Sequence, residues 1–135
     1  MIIKQIKLSQ KDKERLIRLK SKTGITNWNV LCRWAFCVSL SEPTIPAPEG
    51  FATDSNLEMS WMVFGGEYQE IYEALIKQRC IQDGFGIDKD TLQQQFKLHL
   101  HRGISYLSAT NYIRSLDELI FRVAEKLGGK YDSIS

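Results

Sequence analysis

All three prolines of this chain, Pro43, Pro46 and Pro48, fall inside one stretch, SEPTIPAPEGFATDSN, residues 41–56. Proline fixes φ, removes a backbone donor and pushes the residue before it into an extended conformation. The segment therefore reads as an extended linker, or as a surface loop packed by Ile45 and Phe51. It sets off a head of 40 residues, which is too small to carry a core of its own. That head must pack on the remainder of the chain, on a second copy, or on both. The full 135 residues make one ordinary domain, large enough to bury a core without disulfides.

Charge divides at the same place. Residues 1–40 hold nine Lys/Arg against Asp12 and Glu14, a charge of +7, and residues 41–135 carry −5. A basic head on an acidic body points to a polyanionic partner. The three cysteines form no CxxC pair, which suggests reduced thiols in the cytoplasm. No apolar run is long enough for a membrane span. The early lysines after Met1-Ile2-Ile3 do not fit a secretory leader, and no membrane partner is expected.

Residues 2–8, IIKQIKL, read as a short strand with Ile6 and Leu8 on one face and Gln5 and Lys7 on the other. Ser9 is a helix N-cap with Asp12 in the first turn, and Gly24 stops that helix. Thr26 caps a second helix carrying Val30, Leu31, Trp34, Ala35 and Val38. The apolar stretch 57–64 leaves strand and helix both open. Helical spacing returns from Glu67 to Gln82, then from an Asp90/Gln93 capping box to Leu107. A final helix follows a Ser115/Glu118 box, and residues 128–135 read as a frayed tail. The body is 57–127. The expected fold is mainly α, with a short N-terminal strand, on a compact helical body.

On a helical wheel at about 100° per residue, Lys11, Arg15, Arg18 and Lys22 fall within about 60° of one another. Leu16 and Leu19 lie on the neighbouring face. Like charges at this spacing cost an isolated helix a few tenths of a kcal/mol per pair, roughly. Phosphate oxygens are the natural counter-charge. The order strand, helix, glycine turn, helix is that of ribbon-helix-helix DNA binders, in which two copies pair their strands into an antiparallel ribbon. On such a ribbon the outward side chains are Ile3, Gln5 and Lys7.

The same residues resemble the DndE family, small proteins of bacterial DNA phosphorothioation, the DNA sulfur modification systems. The resemblance is carried by IKLSQKDKERLIRLKSKTGIT, NVLCRWAFCVSLSEPTIP, GEY, LIKQRCIQDG and FKLHLHRGISYL, in order from about Ile3 to Leu107. It implies a non-enzymatic DNA-binding accessory protein with a ribbon-helix-helix-like head. It also implies a homo-oligomer, dimer or tetramer, which holds duplex DNA, with a preference for nicked duplex, and works beside other sulfur-modification proteins. Onto this chain it carries Lys4, Lys7, Lys11, Arg15, Arg18, Lys20 and Lys22 as phosphate contacts. Residues 108–135 extend beyond the family pattern.

Other chemistry is weakly represented. His99 and His101 point about 200° apart on one helix and cannot share a metal; a polar surface histidine is the expected outcome for His101. Cys32, Cys37 and Cys80 are expected as buried, inert thiols. Glu67, Glu70 and Glu73 suit a helix N-terminus better than a Mg²⁺ site. Trp34 reads as core, while Trp61, Phe64, Tyr68 and Tyr72 fit a subunit interface. No catalytic residue, metal or cofactor is expected. The alternatives are a protein-interaction subunit of the sulfur-modification machinery, a ribbon-helix-helix transcription regulator, and a nicking enzyme.

Overall fold

The computed structural model describes residues 3–50 and 54–109. The expected final helix, its Ser115/Glu118 cap, the frayed tail and Phe51 lie outside these residues. The chain runs β1 (Gln5–Lys7), α1 (Gln10–Thr23), α2 (Trp28–Ser41), β2 (Glu58–Ser60), α3 (Trp61–Gly65), a 3-10 turn (Gly66–Tyr68), α4 (Gln69–Gln82) and α5 (Lys89–Ser108). It is mainly helical, with a two-stranded antiparallel sheet.

The open stretch 57–64 resolves into both alternatives, a strand and then a helix. In β2, Met59 faces Ile6 and both are buried, while Glu58 pairs outward with Lys7 at 3.7 Å. Ser60 ends the strand and caps α3, its Oγ accepting the Val63 N–H at 3.1 Å. Within the chain, the partner of β1 is β2. Ile3 points inward, 3% exposed, where the ribbon reading had it outward.

Helix α1 forms as expected: the Ser9 hydroxyl accepts the Asp12 N–H, and Gly24 at φ 75° closes the helix onto the Lys20 carbonyl. The cap of α2 is Asn27, one residue later than Thr26, with no side-chain hydrogen bond. The cap of α5 is Asp88, which accepts the Thr91 N–H at 3.2 Å, two residues before the expected Asp90.

One continuous core joins head and body. Leu16 and Leu19 of α1, Leu31 and Phe36 of α2, and Leu92, Phe96 and Ile104 of α5 are all within 1% of complete burial. The pairing of α2 with α5 is the most extensive in the chain. It depends on Gly103: a Cβ there would sit 1.7 Å from the Ala35 carbonyl oxygen. Trp61 and Phe64, read as interface residues, are core instead, 3% and 0% exposed. Phe64 stacks edge-on to Phe96 with ring centres 5.1 Å apart, because one packed monomer already consumes these faces. Trp34 is only half-buried at the margin of that core.

The Pro-rich loop is held by its backbone. Ile45 is 50% exposed, whereas Pro46 is buried. Arg79 of α4 and Arg102 of α5 donate to the carbonyls of residues 39–44, where α2 runs into the loop. At the other end, Asp54 and Asn56 accept from the Gln10 backbone N–H and the Lys13 ammonium of α1.

Candidate functional site

Basic side chains of the head occupy two surroundings. Leu16, Leu19 and Thr23 bury one face of α1. Lys11, Arg18 and Lys22 project from its flank: the first two are exposed and Lys22 is partly so. None of them forms an ion pair with a described residue, and Lys4, exposed beside β1, forms none either. The other three expected contacts are partly engaged. Arg15 Nη1 lies 3.0 Å from Asp12 Oδ1, with its side chain 16% exposed. Lys7 faces Glu58 in a solvated pair, an arrangement worth roughly 0–1 kcal/mol and easily exchanged for a phosphate. The Lys20 ammonium stands 3.4 Å over the centre of the Trp28 ring.

The histidines depart from expectation. His101 is no free surface group: Nδ1 is 2.8 Å from Asp12 Oδ2 and Nε2 is 3.1 Å from Glu49 Oε2, tying α5 to α1 and to the loop. His99 is fully buried. The Ser39 hydroxyl accepts from Arg102 Nε at 2.9 Å and shares a 2.8 Å hydrogen bond with His99 Nδ1. Burial, with the charges of Arg79 and Arg102, pushes His99 down to about 4. It is neutral at physiological pH.

The described arginines outside α1 act on helix ends. The last carbonyls of a helix lack intrahelical donors and carry negative partial charge. Arg33 donates from Nε to the Phe64 carbonyl and from Nη2 to the Val63 carbonyl, closing α3. Arg102 reaches the Ser39 carbonyl at 2.8 Å, and Arg79 reaches the Leu40 carbonyl at 2.9 Å and that of Glu42 at 2.7 Å, closing α2. Arg79 also pairs with Asp83 at 2.9 Å, both side chains 6% exposed. None of these guanidiniums is presented for a ligand.

Nucleophile and metal chemistry find little support. Burial, and then the charge of Asp12, pushes the Cys32 thiol up to about 12; burial also raises Cys80. Cys37 is exposed, against the expectation of a buried thiol. Glu67 and Glu70 are exposed and Glu73 pairs with Lys77 at 3.9 Å. Among the described residues no three His, Cys, Asp or Glu gather as a metal site. No described helix is long and apolar enough to cross a membrane.

Comparison with protein families finds a match over residues 5–115 to the family described as DNA sulphur modification protein DndE. The chain belongs to the DndE family. The match runs eight residues past Leu107, so the DndE pattern extends further along the chain than the quoted motifs do. Among solved structures, DndE from Escherichia coli B7A, involved in DNA phosphorothioation modification, is similar at 26% identity and a TM-score of 0.65. That likeness covers 79% of this chain and 98% of the other. A DndE mutant, also involved in DNA phosphorothioation, is similar in fold at 24% identity and a TM-score of 0.59, covering 77% and 95%. No curated protein matches. The DndE-like motifs acquire structural roles here. His-Arg-Gly (101–103) supplies the Asp12 and Glu49 contacts, the closure of α2 and the close approach to Ala35. Glu-Pro-x-Ile-Pro (42–46) contains two of the carbonyl acceptors of Arg79.

Proposed function

We propose that this protein is a non-enzymatic accessory of DNA phosphorothioation that holds duplex DNA by its phosphates, nicked duplex included. Membership of the DndE family supports the setting. The observation that carries the DNA contact is the row Lys11, Arg18 and Lys22 on α1, the first two exposed and the third partly so, with Lys4 beside β1, none paired with a described acid. Cations that fold structure leaves unspent are free to displace counterions from DNA. Lys7, Arg15 and Lys20 join the contact by exchanging their present partners. The protein works as a homo-oligomer in the cytoplasm, beside other sulfur-modification proteins. Self-association multiplies the basic face. The outward side of α4 offers a surface for it: Ile71, Ala74, Leu75, Gln78 and Ile81 are exposed and uncharged.

The test is a binding titration on intact and singly nicked duplexes of one sequence, repeated across salt. If Lys4, Lys11, Arg18 and Lys22 each neutralise one phosphate, the slope of log K against log salt is about −3.6 per chain. Lys11→Glu/Arg18→Glu/Lys22→Glu should abolish most of it while leaving the fold intact. A well-folded protein that does not retard DNA would replace this reading with the protein-interaction subunit. A transcription regulator is disfavoured by the pairing of β1 within its own chain.

A further inference from the structure

A groove of about 110 Å³ runs between β1 and the N-terminal half of α5. Lys4 and Gln5 form one wall, and Lys89, Gln93 and Lys97 form the other. The last three recur every four residues, so they stand in one row along α5. Buried Ile6 and Phe96 close the floor. Among the described residues no carboxylate lines this groove, although Lys89 and Lys97 belong to the acidic part of the sequence. A neighbouring hollow shares Lys97 and continues past Lys7 and Ser9 to the N-terminus of α1. Among the described residues the acid lining that hollow is Asp12, already held by Arg15 and His101. The space is well below the roughly 300–1,000 Å³ of small-molecule pockets, so it suits a single anionic group better than a cofactor.

We propose that this groove is a further phosphate-binding site, taking a backbone phosphate of duplex DNA between Lys4, Lys89 and Lys97, so that the DNA-facing surface continues from the head onto α5. Three lysines from its two walls line one hollow with a low-dielectric floor, where their attraction for an anion exceeds that of scattered surface lysines. The Gln5 amide adds a neutral donor on the β1 wall. This inference rests on the DNA-holding reading above and adds two residues to it that the charge of the head alone does not indicate.

The test uses the full chain and the same duplex. Lys89→Gln/Lys97→Gln should make the salt slope shallower by about 0.9 and weaken binding about 5-fold at 0.15 M salt, since the site neutralises one phosphate and each lost phosphate contact removes about 0.9 from the slope. Lys89→Glu, at an exposed position, supplies a second variant, and it too should weaken binding. Lys77→Gln on α4 should leave the slope unchanged. An equal loss in Lys77→Gln would reduce the effect to net charge and overturn the site. An unchanged slope in Lys89→Gln/Lys97→Gln, with binding still lost in Lys11→Glu/Arg18→Glu/Lys22→Glu, would overturn the groove and leave the DNA-holding reading standing. No DNA binding by the parent protein would remove both. Titration with inorganic phosphate separates the sources: loss of free phosphate with DNA binding intact would make this a small-anion site and overturn the proposal.

Discussion

Arg18 and Arg102 carry the same guanidinium, and the chain uses them in opposite ways. Arg18 stands exposed on α1 with no ion pair to a described residue. Arg102 donates to the Ser39 hydroxyl, the Ser39 carbonyl and Thr44, and Arg79 beside it donates to three carbonyls and Asp83. The difference lies in what each replaces. A helix C-terminus that runs into a proline-rich loop leaves carbonyls without backbone donors, and leaving them unpaired when buried is expensive. Two arginines supply the donors and oppose the negative end of the helix dipole. The head arginine replaces nothing in the fold, so its charge remains available. Cation type and motif membership therefore do not identify a phosphate contact; the hydrogen bonds already made do.

The comparison breaks hardest at Arg79. Arg79→Met should lower stability by about 3 kcal/mol, because it strips Asp83 of its buried partner and leaves the Leu40 carbonyl without a donor. Arg102 still reaches the Glu42 and Thr44 carbonyls, which limits the damage. Chemical denaturation reads the loss, and the folded fraction should keep the parent salt slope on DNA. A large fall in DNA affinity with unchanged stability would put Arg79 among the ligand contacts and erase the distinction.

His99 feels the charges of both Arg79 and Arg102 and tests the same cluster by pH. Its folded value, about 4, is below the ordinary imidazole value of 6.5, so the unfolded chain binds the extra proton first. The stabilisation is complete above about pH 6.5 and is lost as the pH falls toward 4. The full shift corresponds to about 3 kcal/mol. A third positive charge would then face Arg79 and Arg102. His99→Gln should flatten the stability profile through that window. A parent profile already flat from pH 6.5 to 4 would contradict the buried neutral imidazole.

Much of the scaffold was legible because its signals are local. Ser9, Gly24, the periodicity of α1, α2 and α5, and the proline stretch all act within a few residues of themselves. Asp88 and Asn27 displaced the expected caps by one or two positions, since several capping side chains stood side by side and packing chose between them. The inward Ile3 and the core roles of Trp61 and Phe64 needed the pairing of β1 with β2, 53 residues apart at Ile6 and Met59. Nothing adjacent to Arg79 or Arg102 announces that their acceptors lie 35–63 residues away. For the candidate site, the cation stripe was legible from spacing alone. The Asp12–Arg15 pair and the lysine row of α5 are local repeats of three and four residues, but setting that row beside Lys4 required the packing of α5 against the head.

Arg18→Glu should give the smallest change in stability and, for that reason, the sharpest reading of the comparison. Within α1, Arg18 has like charges at Arg15 and Lys22 and an opposite charge at Glu14, all three or four residues away. Reversing it exchanges two mild repulsions for attractions and one attraction for a repulsion, each worth roughly 0.2–0.5 kcal/mol. The net should stay within about 0.5 kcal/mol, the range of an exposed substitution away from any core or cap. On DNA the same change should remove a phosphate contact and set a carboxylate in its place, making the salt slope shallower by at least about 0.9. Denaturation and salt-dependent titration of this one variant then separate a charge kept for a ligand from a charge spent on the fold. A stability loss of several kcal/mol with an unchanged slope would move Arg18 into the company of Arg79 and Arg102.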